Sequence, residues 1–194
     1  MILVTFAVPF ESAAFRREAI SRDVRILHTG VGADAARAAL EQALCEGVPE
    51  RVIASGFAGA LVPELVIGEV VTERSRRIAS AAEVLATAED KRAFRERTGA
   101  EVVDMETEAI REVCEVAGVP LTIRRVISDG AEDDLGLPPD LLDALSARPV
   151  RAMPRLLWTL ATQPARRRAF LRLVRDCRTA QRALAAALTE ELGG

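Results

Sequence analysis

At 194 residues, 49% hydrophobic and 28% charged, the chain has the length of one domain and enough apolar material for a sizeable core. This composition excludes a collagen-like chain, a coiled-coil rod, a disulfide scaffold and a transmembrane bundle, and with 4% aromatics and no tyrosine the core must be built from Ala, Leu, Val and Ile. The net charge of −3 conceals a polarity: residues 1–147 carry 16 basic and 26 acidic side chains, whereas residues 148–182 carry ten arginines and a single acid, Asp176.

The apolar start MILVTFAVPF has no basic leader or small-residue cleavage site and reads as a buried strand over residues 2–8. Further strands are predicted at 24–27, 51–54, 68–72, 101–103 and 121–127 from short β-branched runs. Between them, residues 34–46 show an Ala/Leu helical period that stops at Gly47, and residues 106–117 a second one that stops at Gly118 and Pro120. Strands alternating with helices predict an α/β three-layer sandwich around a mainly parallel sheet. Pro138, Pro139 and Pro149 mark a break across 136–150. Beyond it residues 151–191 read as helical, interrupted near Pro164, so the expected division is a domain at 1–147 and a basic helical extension at 148–194.

Cys45, Cys114 and Cys177 are far apart and odd in number, which points to reduced thiols and a cytoplasmic location. His28 is the sole histidine and no Cys/His cluster exists, which argues against zinc.

Four segments carry candidate chemistry. GVGADA at 30–35 matches a dinucleotide fingerprint only loosely, since it follows the second strand and no acid ends the next; it reads as a tight strand-to-helix turn. SGFAGAL at 55–61 is expected to be a loop after a strand, where Gly56 and Gly59 let the backbone approach a ligand. VVDMETEAI at 102–110 places acids at a helix start, where they cap the helix or grip a sugar diol. RRVISDGAED at 124–133 ends a buried strand in Ser128 and Asp129, with alternation setting Arg125, Ile127 and Asp129 on one face.

In this order, GVG, SGFAGAL with VIGEVV, DMETEA and ISDGAED resemble the purine nucleoside phosphorylase and methylthioadenosine/S-adenosylhomocysteine nucleosidase superfamily over residues 1–135. The DMET form, the short chain and the Arg-rich tail are most similar to its hopanoid-associated phosphorylase branch, thought to remove adenine from adenosylhopane. The resemblance implies that Glu11 activates water and that Asp129 protonates or hydrogen-bonds purine N7, beside the Ser128 hydroxyl. It further implies that Met105 packs on the ribose, that Glu106 binds its hydroxyls, and that Gly56, Phe57 and Gly59 line the substrate site. Expected chemistry is N-glycosidic cleavage of an adenine nucleoside with a bulky 5′ group, without a cofactor. Phosphorolysis, with phosphate as co-substrate, and a non-catalytic nucleoside-binding protein with a decayed site are the alternatives.

Two departures bear on this expectation. Phe57 stands where a phosphate-binding hydroxyl often lies, and Ala54 where one phosphorylase group has Arg; Arg16, Arg17 and Arg37 have no motif to assign them, so hydrolysis is favoured. The segment 78–96 is shorter than the family's, which usually carries extra strands, a base-stacking aromatic and dimer contacts there. The basic amphipathic stretch 148–182 reads either as a helix packed on the domain with a solvated Arg face or as a membrane-surface element. A peripheral membrane location is therefore an expectation alongside the cytoplasmic one. The acidic body argues against nucleic acid as a partner. A homo-oligomer is compatible with the family but is not fixed by the residues.

Overall fold

In a computed structural model, which describes residues 1–18, 23–138, 141, 144 and 149–193, the apolar runs form one mixed, mostly parallel sheet. The strands are β1 (Ile2–Phe6), β2 (Val24–His28), β3 (Arg51–Ala60), β4 (Val70–Val71), β5 (Ile78–Ser80), β6 (Val102–Asp104) and β7 (Leu121–Asp129). The helices are α1 (Pro9–Ser12), α2 (Ala33–Glu46), α3 (Ala88–Thr98), α4 (Thr107–Ala117), α5 (Pro149–Thr162) and α6 (Pro164–Gly193), with a 3-10 turn at Phe15–Arg17. β1 pairs in parallel with β2 and β3, β3 with β7, and β5 with β6, while β6 on β3 and β4 on β7 are antiparallel.

Alternation along β1 and β3 sends successive side chains to opposite layers, and both layers are covered. Leu3, Val52 and Ala54 pack with Leu40 of α2 and with Ile110 and Val113 of α4. Val4, Phe6 and Ile53 pack with Ala180, Leu184, Ala185 and Leu188 of α6. The C-terminal half of α6, with Phe15 of the 3-10 turn, therefore covers one face of β1, β3 and β7. Within the basic stretch 148–182, Ala180 joins this layer, and Ala152 and Leu156 pack with Leu137 and Leu141. The expected division between 147 and 148 lies outside the described residues, as does most of the proline-rich break.

β3 differs from expectation. SGFAG does not form a loop; β3 runs unbroken through it to Ala60 because β7 pairs along residues 52–59 on one edge. On the other edge β1 pairs only as far as Ala54, and β6 begins at Gly59. Residues 55–58 thus have no strand on that side, and this gap in the ladder is where the candidate site opens. The shortened segment 78–96 supplies β5 and α3, neither of which periodicity predicted. α3 opens on a capping box, in which the Thr87 side chain accepts from Asp90 N while Asp90 Oδ2 accepts from Thr87 N at 3.2 Å.

Candidate active site

The cavity at the C-terminal ends of β1, β3, β6 and β7 has a volume of about 270 Å³ and is walled by Glu11, Phe57, Gly59, Met105, Glu106, Ser128 and Asp129 among others. Seven of the eight candidate residues meet there. Gly56 does not line the cavity; it lies beneath it, where an added Cβ would stand 2.6 Å from Arg125 Nη1 and 3.0 Å from Glu11 Oε1. Its φ of +151° is a conformation that side-chain-bearing residues rarely adopt. Glycine is required there so that Glu11 and Arg125 can approach.

Glu11 fills the gap in the sheet edge. Its Oε1 accepts from Phe57 N at 2.8 Å and its Oε2 from Val8 N at 3.1 Å, so the carboxylate replaces the missing strand as acceptor. Pro9 starts the short helix that carries it. Burial raises its pKa, while the Phe57 and Val8 amides and the Arg125 charge pull the other way.

Glu106 sits at the turn from β6 into α4. Its Oε1 accepts from Gly32 N at 2.8 Å, and its Oε2 is 4.0 Å from Arg125 Nη2. The glycine turn at 30–35 thus orients a carboxylate. Burial pushes the Glu106 pKa up to about 7, against the attraction of Arg125 and helped by the neighbouring Asp104 charge. Arg125 is fully buried below the cavity. Its Nη2 lies 2.6 Å from Asp104 Oδ2, its Nε and Nη2 donate to Thr107 Oγ1 at 3.1 and 3.0 Å, and its Nη1 donates to Ser55 O at 3.3 Å. Asp104 also accepts from Thr107 N at 3.0 Å and from Ser80 Oγ at 2.6 Å. It serves as a structural anchor for the helix start and for Arg125, in keeping with the capping reading.

Simple alternation along β7 fails at its end. Ala58 pairs with Ile127 but Gly59 with Asp129, so Ser128 is an extra residue in a bulge, and both Ser128 and Asp129 reach the cavity. Ile127 faces apolar neighbours including Ala58 and Val71. Asp129 Oδ1 accepts from Ser128 Oγ at 2.8 Å, and Oδ2 lies 2.6 Å from Nζ of Lys91. Lys91 of α3 and Gly32 are the residues that sequence reasoning left outside the site, whereas Arg125, expected on the face of Asp129, pairs with Asp104 and lies near Glu106. For Lys91 one signal existed, since it is the only lysine beside 25 arginines.

None of Arg16, Arg17 and Arg37 lines the cavity, and Arg37 pairs instead with Glu112 at 2.5 Å on the surface. The remaining wall is apolar, with Val84 and Leu85 of the shortened segment facing Leu135 and Leu173.

No curated protein matches the chain by sequence. Solved structures with the same fold include a 5′-methylthioadenosine/S-adenosylhomocysteine nucleosidase from Helicobacter pylori, at a TM-score of 0.68 and 15% identity, covering 99% of this chain and 97% of that one. A futalosine hydrolase from the same organism matches at a TM-score of 0.65 and 16% identity, over 97% of both chains. The Campylobacter jejuni methylthioadenosine/S-adenosylhomocysteine nucleosidase matches at 0.61 and 17% identity, over 78% of this chain and 94% of its own. The family model of the phosphorylase superfamily matches residues 5–73 and 72–157, most of the sequence, and the chain belongs to that superfamily.

Proposed function

We propose that the chain hydrolyses the N-glycosidic bond of an adenine nucleoside bearing a large apolar 5′ substituent. The observation that carries this reading is the charge of the cavity wall. Among the described residues that line it, the carboxyl groups of Glu11, Glu83, Asp104, Glu106 and Asp129 outnumber the one cation, Lys91, which is paired with Asp129, and Arg125 beneath the wall is paired with Asp104. A wall of this sign stabilises positive charge developing on a sugar and repels a phosphate dianion. Water is the nucleophile in this reading, and neither phosphate nor a cofactor takes part.

Glu106 binds the ribose hydroxyls, Met105 packs against the sugar, and Asp129 with Ser128 addresses N7 of the base above Phe57 and Gly59. Glu11 takes a proton from the attacking water; its burial makes it a stronger base than an exposed carboxylate. Val84, Leu85, Leu135 and Leu173 offer an apolar surface to a 5′ group. An adenosylhopane-like nucleoside, the substrate class of the hopanoid-associated branch, has this chemistry.

The experiment is adenine release from a panel of 5′-substituted adenosines, with and without phosphate. Adenine and free sugar are expected, at a rate independent of phosphate and greater for apolar 5′ groups. Saturation by phosphate with formation of a sugar 1-phosphate would replace hydrolysis by phosphorolysis. No adenine from any member would reduce the chain to a binding protein.

We infer also that α5 and the first turns of α6 rest on an anionic lipid surface. Met153, Leu157, Trp158 and Leu171 are exposed, Trp158 by 71%, beside exposed Arg151, Arg167, Arg168 and Arg172. Apolar insertion flanked by arginines fits an anionic interface. No helix among the described residues is long and apolar enough to cross a membrane.

A further inference from the structure

Lys91 is the chain's one lysine, and it is 1% exposed. Its Nζ lies 2.6 Å from Asp129 Oδ2 and donates to Gly130 O at 2.6 Å and to Asp133 O at 3.2 Å. These acceptors match the three N–H bonds of an ammonium. They are held in place. Gly130 N donates to Asp133 Oδ2 at 2.8 Å, which closes the turn that presents both carbonyls. Ala88 N donates to Asp134 Oδ1 at 3.0 Å and Leu135 N to Ala86 O at 2.9 Å, which ties the start of α3 to the same loop.

The pairing has a chemical consequence. Asp129 accepts from Ser128 through Oδ1 and from Lys91 through Oδ2. A carboxylate in this state is an acceptor only, and so is N7 of a purine. The two form a hydrogen bond only if a proton is placed between them, and of the two donors in contact with Asp129, the Ser128 hydroxyl and the Lys91 ammonium, the ammonium is the stronger acid. Arginine fills every other basic position in the chain except this one, and arginine cannot release a proton.

We propose that Lys91 is a positioning residue that supplies, through Asp129, the proton taken up at N7 as the purine leaves. This rests on the N-glycosidic reading above. The electron pair of the C1′–N9 bond passes to the base as N7 is protonated. Lys91 gives one proton to Asp129, which passes it on, and Lys91 becomes a neutral amine. Water adds to C1′ and loses a proton to Glu11. Transfer of that proton from Glu11 through solvent to Lys91 restores the starting state.

Two variants and two leaving groups test this. Lys91→Met removes the charge and keeps the apolar stem; Lys91→Arg keeps the charge but has no proton to give. The probes are a 5′-substituted adenosine, whose base needs protonation, and 4-nitrophenyl β-D-ribofuranoside, whose phenolate leaves without it. Both variants are expected to lose on the order of 10²-fold in kcat on the adenosine, with KM within about threefold, and to keep their rate on the nitrophenyl riboside. Circular dichroism confirms that each variant is folded. Equal loss on both probes, or wild-type turnover of the adenosine by Lys91→Arg, would overturn the proposal. So would failure of both variants to fold, which would assign Lys91 to the architecture alone. Wild-type protein that cleaves no adenine nucleoside would overturn the parent reading and this one with it, whereas active wild type with equally active variants overturns this one only.

Discussion

Glu106 gives the sharpest test of the site's electrostatics. Its carboxyl is buried at the start of α4, with one amide donor from Gly32 and the Arg125 guanidinium 4.0 Å away. Burial outweighs these and raises its pKa from 4.5 to about 7. Between those values the folded protein holds a proton that the unfolded chain has released. Stability therefore falls as pH rises through this window and levels off above it. At about 1.4 kcal/mol per pH unit, the displacement amounts to about 3 kcal/mol, fully expressed above about pH 7 and absent below about pH 4.5. Glu106→Gln keeps the shape and an acceptor for Gly32 but cannot ionise. Urea unfolding of both proteins across this range should give curves that coincide near the acid end and separate with rising pH. The variant should be more stable by up to about 3 kcal/mol at the alkaline end. Glu11, whose pKa burial also raises, tilts both curves the same way and largely cancels in their difference. A difference that does not change with pH, or a wild type more stable than the variant in alkali, would refute the reasoning. Either would mean that Arg125 compensates the ionised carboxylate in full.

Three further outcomes are expected. Arg125→Met should destabilise the fold by about 3–5 kcal/mol in urea unfolding, because Asp104 and Glu106 are left as buried acids without a counter-charge. Leu188→Ala should cost about 2–5 kcal/mol by the same measurement, since that side chain is fully buried against the sheet, and removal of everything after residue 163 should abolish folding. Co-sedimentation should show binding to anionic vesicles that weakens with salt and is reduced in Trp158→Ser, with neutral vesicles bound poorly; full-length protein that ignores anionic vesicles at low salt would remove the membrane reading.

Much of the sandwich was legible in local patterns. Apolar β-branched runs and helix stops at Gly47 and Gly118 placed β1, β2, β7, α2 and α4, because each pattern reflects burial within one element. The candidate carboxylates were legible through the motifs that carry the family resemblance, and the structure brings Glu11, Glu106 and Asp129 to one cavity. Both the β5–α3 segment and the basic tail were poorly legible. α3 is strongly polar and held by a capping box and a loop, so it has little apolar period to detect. In the tail, the apolar stripe at Leu184 and Leu188 follows an arginine-rich run that ends at Arg182, and periodicity alone does not tell a stripe that packs on the sheet from one that meets lipid.

The sequence by itself determined an alternating α/β chain, the carboxylates at the ends of its strands, and a family frame for them. Tertiary structure decided what those carboxylates touch. The early end of β1 against β3 leaves a gap for Glu11, a bulge turns Ser128 and Asp129 into the same space, and α3 delivers Lys91 from 38 residues away. Gly56 makes room beneath the cavity for the side chains of Glu11 and Arg125. Strand register and helix docking are set by pairing and packing between distant segments. The charge on each neighbour, and hence the chemistry of each acid, follows from that docking and has no counterpart in the local run of residues.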